Sequence, residues 1–90
     1  MEDVSMLDAM LAVERHARRD QEPWTYTETA TALDAWMLQL RLVVTVGERR
    51  YGASRLVSTD SARAARYDVL PSEWSYVRRE VLAVLDSVPM

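Results

Sequence analysis

The residues best placed by type and spacing to do chemistry lie in the stretch Gly47–Ser54, GERRYGAS. Gly47 and Gly52 are the only glycines in the chain, and with Ser54 they match the spacing of a phosphate-binding loop. Ala53 occupies the position of that loop's lysine, which removes the charge that neutralises the β- and γ-phosphates. The run that follows, Arg55-Leu-Val-Ser-Thr, is a poor helix start, so no row of amide N–H groups is expected to complete a phosphate cradle. A chain of 90 residues is also too short for the parallel sheet such a loop serves. The expectation is a glycine-bounded turn that presents Arg49, Arg50 and Tyr51 to a partner.

Other chemistry is poorly supplied. His16 is the only histidine, with Asp20 one helical turn further on, and no G-x-S-x-G elbow brings a serine to it. The position of His16 near a helix end suits simple stabilisation by the helix dipole. One histidine without cysteine does not make a zinc site of the usual kind, and Asp60, Asp68 and Glu73 lack calcium-loop spacing. The absence of lysine excludes Schiff-base chemistry. The sequence therefore leads us to expect no catalytic residue, no cofactor and no metal: a protein that is not an enzyme.

Composition bounds the setting. Apolar residues make up 49% and charged residues 28%, as in a globular protein, and the length suits one domain over residues 1–90. No apolar run is long enough for a membrane span, and the acidic start MEDVSMLDAM lacks a basic signal region. A cytoplasmic protein is expected. Lys, Asn, Ile, Phe and Cys are all absent. The first four use AT-rich codons, which points to a GC-rich source, bacterial or phage. The net charge is −3, but it is unevenly spread: residues 1–40 carry −5, residues 41–66 carry +4 and residues 67–90 carry −2. The basic stretch contains Arg41, Arg49, Arg50, Arg55, Arg63 and Arg66, suited either to intramolecular pairing or to an acidic partner or phosphate backbone.

The elements that must position these groups read as mainly helical. Apolar residues from Val4 to Ala17 recur at three- and four-residue steps, predicting a helix to about Arg19 with Asp3 as N-cap and a Glu14–Arg18 pair. Thr25-Tyr26-Thr27-Glu28 reads as a capping box opening a second helix, with Leu33, Trp36, Met37 and Leu40 on its apolar stripe as far as about Leu42. Beyond Leu42 the run is either the end of that helix or a strand. Residues 55–70 read as a short helix over Ser61–Val69 or as two strands, SRLVST and ARYDVL. Ser72 caps a last helix, Glu73 to about Ser87, with Trp74, Val77, Val81, Leu82, Leu85 and Val88 on one face. The fold expected is mainly α, a small domain of three to four helices with room for a short β-hairpin within residues 42–70. Trp36 and Trp74 belong to its core. Trp24 and Tyr51 are partly exposed aromatics available for contact.

YTETATALDAW, with Glu28, Ala30 and Leu33, resembles the first helix and turn of a helix-turn-helix. The segment 55–70 with its closing helix is similar to the wing and final helix of winged-helix regulators. Asp34 stands where that family has a turn glycine. The resemblance implies a DNA-binding regulator in which Trp36–Val44 reads bases, through Gln39 and Arg41, and the basic segment 41–66 meets phosphates. Two readings follow. The first is a small protein–protein interaction module, an accessory, adaptor or inhibitor protein able to self-associate, with Arg49, Arg50, Tyr51, Arg55, Arg63, Arg66 and Trp24 as its contact residues. The second is a winged-helix-like DNA binder using the basic segment. Neither involves a membrane or a small-molecule substrate.

Overall fold

A computed structural model describes residues 4–58 and 69–87. The order of elements is α1 (Met6–Asp20), β1 (Trp24–Ala32), β2 (Met37–Val46), β3 (Arg49–Ser58) and α2 (Pro71–Ser87). The strands form one antiparallel meander in the order β1-β2-β3. This is an α+β fold, not the mainly α fold of three to four helices expected from the sequence. The expected helix from Thr25 to Leu42 is two strands and a hairpin. The supposed reading helix of the winged-helix resemblance, Trp36–Val44, is mostly the buried central strand, which removes the basis of that resemblance.

The physical reason is visible in the residues. Thr25, Thr27, Thr29 and Thr31 alternate along β1, and Leu38, Leu40, Leu42, Val44 and Val46 alternate along β2. A period of two gives a strand one threonine face and one apolar face, whereas on a helix both sets would be smeared around the axis. β-branched threonine and valine also fit a pleated surface better than a helix interior. The helical stripe Leu33, Trp36, Met37, Leu40 was a second period in the same residues. Two of its positions, Leu33 and Trp36, fall in the hairpin connection at 33–36, where Trp36 is 62% exposed rather than in the core. There the Trp36 amide donates to Asp34 Oδ1 at 2.7 Å, and the Leu33 amide donates to the Met37 carbonyl.

All five alternating residues of β2 are buried, covered by Val13 and Ala17 of α1 and by Val77, Val81 and Leu85 of α2. Helix α1 packs on β1 and β2, and α2 on β2 and β3, both on the same face of the sheet. The helices otherwise follow the sequence reading. The N-cap of α1 is Ser5 rather than the expected Asp3: its Oγ accepts from the Asp8 amide at 3.0 Å. The C-cap is Gln21 in the left-handed region. The Glu14–Arg18 pair is present. Helix α2 starts at Pro71, not after a Ser72 cap, because proline's missing N–H costs nothing in the first turn. Of residues 55–70, for which the sequence allows helix or strands, 55–58 complete β3; 59–68, with Arg63 and Arg66, lie outside the described residues, as do Asp3 and Val88.

Candidate interaction surface

Register assigns each strand residue to a face. Trp24, Tyr26, Glu28, Ala30 and Ala32 of β1 stand beside the buried residues of β2, as do Arg49, Tyr51, Ala53, Arg55 and Val57 of β3. They form the closed face, under the helices. The open face carries Thr25, Thr27, Thr29 and Thr31, then Gln39, Arg41, Val43 and Thr45, then Arg50, Gly52, Ser54 and Leu56.

Arg49–Tyr51 is not a turn but the start of β3, and of the three described arginines expected to meet a partner, Arg49 and Arg55 lie on the closed side, paired at its rim. Gly47 and Glu48 make the two-residue turn between β2 and β3, with Gly47 at φ 61°, the glycine-first pattern of a hairpin whose twist suits its strands. A Cβ on Gly47 would sit 2.7–3.0 Å from the Glu22 carboxylate. Arg49, the first residue after the turn, is paired with Asp20 and donates to Glu22 at 2.6 Å, tying the end of α1 to the hairpin. The guanidinium holds Asp20 below the usual carboxylate range, chiefly by its hydrogen bond. Tyr51 is half-buried and meets the His16 ring edge-to-face. Trp24 is half-buried against the core. Arg55 donates to Glu73 at 3.0 Å and lies 4.5 Å from the centre of the Tyr76 ring. Of the described contact residues only Arg50 reaches the open face.

His16 does not sit at a solvated helix end. It is buried, its Nδ1 is 2.7 Å from Arg19, and its Nε2 is 3.9 Å from Asp20. No serine, cysteine or second histidine approaches it among the described residues. A groove of about 390 Å³ beside it, between α1 and α2, is lined by Ala12, Arg15, Arg19, Leu85 and Asp86. Among the described residues no group of three or more His, Cys, Asp or Glu stands where a metal could be held, and no helix is long and apolar enough to cross a membrane.

The least expected group is the buried pair Glu28–Arg78. Instead of capping a helix, Glu28 points under the helices, and Arg78 Nη2 donates to it at 3.0 Å. Tyr26 Oη donates to the same carboxylate at 2.7 Å, and Arg78 Nη1 donates to the Val4 carbonyl at 2.8 Å. Burial, and then this carboxylate, push the Tyr26 phenol far above its ordinary value. Hydrogen bonding to Glu28 outweighs burial and keeps Arg78 charged. The pair spans 50 positions of chain, and a lone Glu among threonines carries no sequence signal of such a partner.

On the open face the chemistry is simpler. Arg41 and Arg50 have no ion-pair partner among the described residues, and the face includes no Asp or Glu. A shallow depression of about 350 Å³ lies between Gln39, Arg41, Gly52 and Ser54. The missing side chain of Gly52 leaves room between the strands, and Leu56, 60% exposed, adds an apolar contact on the same face. Arg41 was the sequence signal for this face, but inside a supposed helix it was assigned to base edges. Comparison with family models, curated proteins and solved structures finds no match for this chain.

Proposed function

We propose that this protein is a non-enzymatic interaction module that docks an acid-bearing segment of a protein partner on its open sheet face. A cytoplasmic setting is part of the same proposal. The observation that carries it is the contrast in how arginine is used. Arg49, Arg55 and Arg78 are held by carboxylates of this chain, whereas Arg41 and Arg50 have no ion-pair partner among the described residues and share their face with no strand Asp or Glu. A guanidinium is a planar fork matched to a carboxylate, and the threonine and serine hydroxyls beside it supply donors and acceptors for a partner's backbone. Phosphate would satisfy the arginines equally, but single-stranded nucleic acid is held on sheets by stacking on aromatic rings. None of the open-face positions on the three strands is aromatic.

The test is selection of a displayed peptide library on the wild-type domain, counter-screened with the double variant Arg41→Glu/Arg50→Glu. Sequences rich in Asp and Glu that bind less tightly as salt rises, and are lost in the variant, are expected. Recovery without acidic bias, retention by the variant, or a gel shift with single-stranded RNA or DNA that the variant abolishes would each overturn the reading.

A further inference from the structure

The geometry points to a second, separate surface: the outer edge of β1 together with the flank of α1 above it, which we infer pairs with a second copy of this chain about a two-fold axis. This goes beyond whatever the open face binds. The first observation is the free edge. The Gly47 amide donates to the Pro23 carbonyl at 2.8 Å and the Leu33 amide to the Met37 carbonyl at 2.9 Å, both in register with the β1–β2 ladder. Bonding alternates along an antiparallel strand. Thr25, Thr27, Thr29 and Thr31 therefore turn their backbone groups to β2, and Trp24, Tyr26, Glu28, Ala30 and Ala32 turn theirs outward. No described strand takes them up.

Edges of this kind are normally guarded by proline, bulges or charge. The free groups of β3 belong to Arg50, Gly52, Ser54, Leu56 and Ser58, an edge that starts with a charge and is weakened by a glycine. β1 pairs one-for-one with β2 over all nine residues, without a bulge, and contains no proline. Its one charge, Glu28, is turned under the helices to Arg78. It is an unguarded template.

The second observation commits the edge to its own copy. In WTYTETATA the bulky outward-bonding residues come first and the alanines last. Antiparallel self-pairing centred on Glu28 uses every outward-facing residue. It sets Trp24 against Ala32 of the second copy and Tyr26 against its Ala30, large against small, with Thr25 facing Thr31 and Thr27 facing Thr29. The single like-charge contact, Glu28 with Glu28, is neutralised by two Arg78 guanidinium groups.

The third observation is the helix above. Ala12, Arg15, His16 and Arg19 line the groove toward α2, so Met6, Leu7 and Met10 fan out from the opposite flank, beyond β1. Met6, Leu7 and Met10 are exposed on that flank, Leu7 at 66%, with Leu11 on top of the helix beside them, a cluster unusual for two turns of a surface helix. Arg78 holds both Glu28 and the Val4 carbonyl, which places the start of α1 over the middle of β1. The apolar flank thus stands above the proposed axis, where two copies of it would meet. A strip roughly 30 Å long and about 15–20 Å deep gives on the order of 1,000 Å² in total, near the lower limit of a specific interface.

Sedimentation over a concentration series is expected to show a dimer for the wild type. Leu7→Glu/Met10→Glu alters surface residues only and is expected to give a folded monomer by circular dichroism. Ala30→Pro removes an outward N–H without touching the β2 ladder and is expected to do the same. The chain has no cysteine, so Thr27→Cys mixed with Thr29→Cys reports register directly. Their Cα atoms would stand about 4.5 Å apart across the axis, within disulfide reach, and oxidation is expected to link the mixture more efficiently than either variant alone. A monomer at every concentration overturns the proposal, including one that captures a strand from a different protein on β1. So does a dimer that survives the α1 variant and fails the cross-link. Acidic-peptide binding by Arg41 and Arg50 is expected to persist in the α1 variant, so the two surfaces fail separately.

Discussion

The two faces of the sheet are built from alternate residues of the same strands, yet they obey opposite rules. Leu42 is buried under two helices, while its neighbour Arg41 lies in water on the other side. On the closed face every charge has a partner: Arg78 with Glu28, Arg55 with Glu73, Arg49 with Asp20 and Glu22. On the open face Arg41 and Arg50 have none among the described residues. At Glu28–Arg78, where the side chains are 10% and 8% exposed, burial makes pairing obligatory, since an unpaired charge in a low dielectric is expensive; the Arg49 and Arg55 pairs sit at the solvated rim, where water screens a guanidinium at little cost. The lesson is that charge on this chain marks stability on one face and availability on the other.

The largest loss is expected at the buried pair. Arg78→Met strands Glu28 under the helices and is expected to cost about 3–5 kcal/mol in chemical denaturation. Arg78→Met/Glu28→Gln should recover much of that loss, because no uncompensated charge remains. An equal loss in the double variant would mean that packing, not charge, sets the cost. Next, Leu42→Ala is expected to lose about 2–5 kcal/mol, whereas Arg41→Ala one position away should stay within about 0.5 kcal/mol. Similar values for the two would show that the open face is covered. A smaller effect is expected at the turn. Gly47→Ala combines positive φ with a Cβ against the Glu22 carboxylate, and a loss of about 1–3 kcal/mol is expected. Pairing this change with Glu22→Ala separates the steric part from the backbone part.

The mildest probe is pH. Tyr26 ionises in the unfolded chain near its ordinary value of 10.0 and much later in the fold. Its contribution is therefore complete below about pH 10 and is lost as pH rises toward the folded value. Tyr26→Phe should flatten the alkaline side of the stability curve. Asp20 behaves oppositely, its folded value lying below the ordinary 3.8. Its contribution is present above that ordinary value and fades as pH falls through the folded one. Asp20→Asn should remove that part of the acid limb, and an unchanged limb would show that the Arg49 pair adds nothing to the fold.

Much of this was legible in the chain. Helix α1 and helix α2 follow from apolar steps of three and four residues, because a helix buried on one side must repeat at that period. The turn at Gly47 was legible too, but the expected glycine-bounded turn shrinks to Gly47 and Glu48: Arg49–Ser54 is strand, with Gly52 inside β3, because these residues continue the ladder with β2. β1 and β2 were written in the sequence but overwritten by a second pattern. Thr25 and Glu28 are spaced as a capping box, and Leu33, Trp36, Met37 and Leu40 repeat as a helix would. Local spacing cannot choose between two periods carried by the same residues. The sheet chose, by burying Leu38 through Val46 beneath two helices that lie far away in sequence. The roles of the arginines were equally closed to local reading. Arg49, Arg55 and Arg78 find their carboxylates 27, 18 and 50 positions away, and only the folded chain brings them together. Composition determined that every strong cation here is an arginine. Tertiary structure decided which of them are anchors and which are offered outward, because ion pairing depends on distance through space and the cost of leaving a charge unpaired depends on burial.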